Sequence, residues 1–112
     1  NVRKAVQYGV DNNVILQLGI DNAGVKADNY HVAPIQPDHV EIATHERDVE
    51  RAKQMMEEAG QMDFEHEIIS VDETWHRNSC DAVAAQLRDA GCKVKRTVLP
   101  GSTFWNDWTK YP

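Results

Sequence analysis

The chain has 112 residues, 41% of them hydrophobic and 27% charged, with a formal net charge of −6. That length is one domain or part of one, and it buries a core without needing metals or disulfides. Twelve basic residues scattered among eighteen acidic ones leave no Lys/Arg stripe for nucleic acid, and no stretch approaches the roughly 20 apolar residues of a membrane span.

Val2, Ala5, Val6, Gly9 and Val10 recur at helical spacing and predict a helix that begins almost at the first residue. Asn1–Val10 lacks the basic start and apolar middle of a secretory signal. Val14, Ile15, Leu16 and Leu18 form a second apolar cluster, helical or extended, which Gly19 is expected to close. Asp21–His45 has no periodicity and is punctuated by Gly24, Pro34, Pro37 and the turn-prone pairs Asp21-Asn22 and Asp28-Asn29. A loop of about 25 residues is long for a compact domain, and Val32, Pro34, Ile35 and Val40 predict that it packs on a surface.

Asp48 is a good N-cap for a helix whose Val49, Ala52, Met56 and Ala59 share one face and whose Gly60 marks the stop. Phe64–Val71 reads as a strand, buried on both sides at its end. A helix from Trp75 to Ala90 turns Cys80, Val83, Ala84 and Leu87 inward and stops at Gly91. In the last strand, Cys92–Leu99, the residues Cys92, Val94, Arg96 and Val98 alternate with Lys93, Lys95 and Thr97. Pro100-Gly101 breaks it, and Ser102 is the expected N-cap of a final helix with Phe104 and Trp108 inward. Strand, helix, strand is a β-α-β unit with parallel strands. The Ala-Gly pair that ends both long helices before a strand is an internal echo. Two strands make a thin sheet against the usual four to six, so further strands are expected outside the sequence.

No enzyme constellation emerges. His66–Ser70 (HEIIS) begins like a zinc-protease helix but lacks the second histidine and lies on a strand. The five histidines are spread out, so no metal site is expected, and Cys80 and Cys92 fit no C-x-x-C motif and read as small buried hydrophobes. What remains is geometric: ligands of open parallel sheets sit beyond the C-terminal strand ends. Those ends are Ser70–His76 and Leu99–Trp105, and both run into helix N-termini. Trp75 equally fits a purely structural role, stapling its helix.

Three stretches resemble one known family. VRKAVQYGVDNNVI (Val2–Ile15), RDVERAKQMMEEAG (Arg47–Gly60) and AAQLRDAGCKVKRTVLPGSTFWNDW (Ala84–Trp108) are similar, in order and spacing, to motifs of the family 5 extracellular solute-binding proteins. These serve ABC importers of dipeptides, oligopeptides and nickel. Gly9 and Asn13 depart from the family's usual Ala and Arg, Cys92 from its Ile, and Met55-Met56 from a Leu pair. FWNDWTKYP looks most like the dipeptide-type binders.

The resemblance implies an α/β fold, with residues 1–112 a single partial domain from the C-terminal lobe of a two-lobed periplasmic protein that closes on its ligand. It implies non-catalytic capture of a small peptide or similar ligand, delivery to a membrane permease, and no cofactor. The family's cleft-facing turns fall on Thr74, Trp75 and His76 and on Gly101 and Ser102, which are the expected ligand-binding residues. An excised piece would leave Phe104–Tyr111 exposed or buried in a neighbouring copy, so self-association is expected of it. The alternative is a free-standing α/β interaction domain whose aromatic C-terminal surface meets a protein partner.

Overall fold

The computed structural model describes residues 1–27 and 30–111, so the Asp28-Asn29 pair and Pro112 lie outside the described residues. Helices α1 (Val2–Gly9), α2 (Asn12–Ile20) and α3 (Val49–Glu58) precede strand β1 (Glu65–Val71), helix α4 (Thr74–Asp89), strand β2 (Lys93–Leu99) and helix α5 (Gly101–Asp107), which runs into a single 3-10 turn, Trp108–Lys110. The strands pair in parallel, from Glu65 opposite Lys93 to Val71 opposite Leu99. The β-α-β unit is therefore as the periodicity predicts.

Several helix ends have a clear chemical cause. The Asp11 carboxylate caps α2 by accepting from Asn13 N–H at 2.8 Å, and Asp48 caps α3 by accepting from Arg51 N–H at 2.9 Å. The repeated Ala-Gly pair is one motif used twice. Gly60 and Gly91 take positive φ, +65° and +84°, and the next residue donates back into the helix, Gln61 to Met56 and Cys92 to Leu87, each at 3.0 Å. In the second case Cys92 and Leu87 also pack together in the core.

That core joins Ala5 of α1, Met56 of α3, Leu87 of α4 and Cys92, with Ile68, Val83 and Val94 packed against it. Both cysteines are free thiols. Helix α4 thus covers the sheet face that carries Ile68, Val94 and Arg96. The opposite face begins in charge, with Lys95 Nζ 3.0 Å from Glu67 and Thr97 donating to the same carboxylate at 2.6 Å. It ends in Val71, which is fully buried.

Four expectations are corrected. Gly19 does not stop α2; it lies buried inside it, where a β-carbon would stand 2.2 Å from Ser79 Oγ of α4. The stop falls at Asp21-Asn22, both left-handed, with their amides bonded to Gln17 and Leu16. The segment after α2 does not pack on a surface through its apolar side chains: Ile35 is 93% exposed and Val40 75%. Ser102 is not an N-cap, because Pro100 ends the strand and holds that position while Phe104 N–H bonds back to its carbonyl at 2.9 Å. Trp108 does not turn inward, being 56% exposed where the short helix tightens into its 3-10 turn.

Arg47 ties the end of the long loop to the helices. Its Nε donates to Gly9 O at 2.9 Å and its Nη2 to Gln86 O at 3.1 Å, with Asp89 3.6 Å away. A cation thus sits at the carboxyl ends of both α1 and α4, where the helix dipoles favour it. Gln86 completes the joint, accepting from Asp11 N–H at 2.6 Å. A β-carbon at Gly9 would lie 3.0 Å from Leu87 Cδ2, so α1 packs closely on α4 at this point.

Candidate functional site

The two strands finish side by side. Asp72 N–H donates to Leu99 O at 2.8 Å, extending the ladder one step past the last paired residues. From there the chains diverge into α4 and α5, and Gly101 stays close enough that a β-carbon on it would lie 3.6 Å from Val71 Cγ2. Of the residues expected at a ligand rim, Thr74, Trp75 and His76 form the first turn of α4, while Gly101 and Ser102 open α5.

Arg77 N–H is the first to bond back along α4, to Glu73 O at 2.9 Å, and the Glu73 side chain caps none of the donors before it. The first turn of α4 therefore presents main-chain N–H groups beyond the strand ends. Trp75 is 52% exposed, and its ring centroid lies 3.5 Å from that of His76. That exposure argues against a simple staple, since a stapling ring would be covered by its helix. Thr74 and Ser102 carry exposed side chains. On α5, Phe104 is half-buried and meets Trp105 edge-on at 5.0 Å, while Trp105 itself is 61% exposed.

Charge around the rim is locally balanced. Arg77 pairs with Asp72 at 3.2 Å across the turn, and His76 Nδ1 lies 3.8 Å from Glu73. The Cys80 thiol, one turn further along α4, is pushed above its ordinary range, chiefly by burial, and stays protonated at neutral pH. Among the described residues no group of three His, Cys, Asp or Glu side chains could hold a metal ion. The arrangement can therefore stack on an apolar group and donate main-chain hydrogen bonds.

A groove of about 710 Å³ lies elsewhere, between the α1–α2 junction and residues 42–47. Its walls are structural: His45 packs on Tyr8 with ring centroids 4.1 Å apart, and Arg47 is the tie described above.

The model of the bacterial extracellular solute-binding proteins, family 5 Middle, matches residues 1–111. The chain belongs to the family 5 bacterial extracellular solute-binding proteins. No curated protein matches it. The family supplies the solute-binding component of ABC importers and is generally non-catalytic, and it works with a ligand and a membrane permease. No described helix of this solute-binding chain is long and apolar enough to cross a membrane.

One residue of consequence escaped the sequence reading. Arg96 points inward between Val94 and Val98, with only 12% of its side chain exposed. The signal was present: a charged residue at an inward-facing strand position demands buried partners.

Proposed function

We propose that this solute-binding protein captures small peptides of the dipeptide type in the periplasm, without catalysis, and delivers them to the permease of an ABC importer. Residues 1–112 would form part of the C-terminal lobe, and the ligand would sit between two lobes. Thr74, Trp75, His76, Gly101 and Ser102 would line this lobe's side of the cleft. The observation that carries the reading is the exposure of Trp75 beside the uncapped first turn of α4, where the two strand ends meet. An exposed ring offers a stacking surface for varied side chains, and free N–H groups suit a peptide's carboxylate or carbonyls.

Calorimetry on the protein expressed from its complete reading frame, with Ala-Phe, trialanine and nickel–histidine complexes, tests the ligand class. Peptide binding that weakens at least tenfold in Trp75→Ala supports the proposal; binding of the nickel complexes alone overturns it. Micromolar affinity for Ala-Phe in residues 1–112 by themselves would sink the two-lobe account. The exposed Trp105 and Trp108 favour the second reading, a surface for a protein partner. Unchanged peptide affinity in Trp75→Ala together with a stable complex lost in Trp105→Ala would select it.

A further inference from the structure

We propose that Arg96 is the positioning residue of the ligand rim, a clamp that sets the first two turns of α4 against the strand ends. This rests on the reading of the rim as a peptide site. The guanidinium has five N–H donors in one plane, and each has an acceptor here. Nε donates to Asp81 Oδ1 at 2.7 Å. One Nη1 hydrogen goes to Ile68 O at 3.3 Å and the other to Thr97 O at 2.5 Å. Those on Nη2 go to Ser70 Oγ at 2.6 Å and Arg77 O at 3.4 Å.

The acceptors come from three elements: Ile68 and Ser70 on β1, Thr97 on β2, and Arg77 and Asp81 on α4. All five belong to the upper half of the β-α-β unit, next to the rim. Ser70 is two residues before the Asp72 turn, and Arg77 is one residue after His76. The core cluster, by contrast, grips α4 at Val83 and Leu87, nearer its other end. The amino end, which carries Trp75, is held by Arg96, by the packing of Gly19 of α2 on Ser79 and by the exposed Arg77–Asp72 pair.

A planar fork is needed for this, because a point charge cannot span acceptors on three elements. Lysine offers three donors on one nitrogen and would keep the attraction to Asp81 while losing the far partners. A role in charge balance alone is rescued by lysine; a positioning role is not.

The test compares wild type, Arg96→Lys and Trp75→Ala in the protein from its complete reading frame. Amide exchange is read by mass spectrometry and binding of Ala-Phe by calorimetry. In Arg96→Lys the amides of Arg77–Asp81 should exchange at least tenfold faster while those of Ala84–Arg88 keep their protection. Ala-Phe should bind at least fivefold more weakly. Wild-type exchange in Arg96→Lys, or acceleration spread evenly along α4, overturns the clamp. Localised acceleration with unchanged Ala-Phe affinity, while Trp75→Ala weakens binding, overturns the link between clamp and ligand. Unchanged affinity in both variants removes the rim reading instead, and with it the ligand that Arg96 was proposed to serve.

Discussion

Replacing Gly19 by alanine isolates the closest approach between helices α2 and α4. The added β-carbon would stand 2.2 Å from Ser79 Oγ, 3.3 Å from Ser79 Cβ and 3.5 Å from its Cα. Turning the hydroxyl aside relieves the first contact only at the cost of a less favourable Ser79 rotamer, and the second stays a few tenths of an ångström too tight. Overpacking of this kind costs about 1–3 kcal/mol, while Gly→Ala in a helix interior recovers about 0.5–1 kcal/mol. Gly19→Ala should therefore destabilise by roughly 0.5–2 kcal/mol, read as a lower urea midpoint at unchanged slope. In a Ser79→Ala background the 2.2 Å clash is gone and the propensity term offsets most of what remains, so the same substitution should be close to neutral. The coupling in that double-mutant cycle should be at least about 0.5 kcal/mol. Gly19→Ala that stabilises the protein with Ser79 present, or a cycle with no coupling, would refute the packing argument.

Asp48→Ala removes the acceptor for Arg51 N–H and should cost about 1 kcal/mol in chemical denaturation, with Asp48→Asn restoring most of it. Arg47→Met strips the guanidinium from two part-buried carbonyls, Gly9 O and Gln86 O, and should cost about 2–3 kcal/mol in the same assay. Burial pushes the thiols of both Cys80 and Cys92 above their ordinary range. The unfolded chain therefore loses those protons first, and stability should fall as pH rises above about 9, a slope that Cys80→Ala/Cys92→Ala should flatten in melts across pH 8–10.5. The carboxyl of Glu67 is held below its usual range by hydrogen bonds from Thr97 and Lys95, so its contribution is present at neutral pH and lost as pH falls below about 4.5; being exposed, it should bend the acid limb of the same melts only slightly.

The elements that could be read from the sequence are those whose ends and faces agree. Helix α3 has a capping aspartate, an apolar stripe and a left-handed glycine at three separate positions, and any two would have placed it. The β-α-β unit has the same redundancy. Gly19 shows where that logic breaks: a glycine near the end of an apolar run has the same local signature whether it stops a helix or admits another helix at close range. Only the partner, Ser79, sixty residues away, distinguishes the two. Pro34, Ile35 and Val40 failed differently, since hydrophobicity predicts a wish for burial and not the presence of a surface to bury against. Trp108 was placed inward by period alone, but α5 spans only seven residues before tightening, too few to hold one face on the sheet. The rim was legible because it follows from topology: once two parallel strands are assigned, their carboxyl ends and the turns beyond them are fixed. Arg96 was not, because its meaning lies in acceptors from three elements.

Burial along the two strands supports the proposed placement of a ligand at their carboxyl end. Their first residues are charged pairs open to water on one face, Glu67 with Lys95 and Lys93 with Asp63 at 2.6 Å. Such exposed pairs contribute little to stability. Ser70 and Val71, at the other end, are buried, and their turn is held by the Asp72–Leu99 bond below and the Arg77–Asp72 pair above. A held backbone then displays Trp75 and Trp105 with more than half of each residue's surface in water. Covering roughly 100 Å² of each would return about 2–3 kcal/mol per ring. Folding of these residues leaves that free energy unused, so it is available to whatever closes over the rim. A ligand that spans both rings should be held by apolar contact, with a negative heat-capacity change on binding. Calorimetry with Ala-Phe at several temperatures should show that change shrink in Trp75→Ala; a heat capacity indifferent to the ring would mean that Trp75 faces solvent in the bound state too.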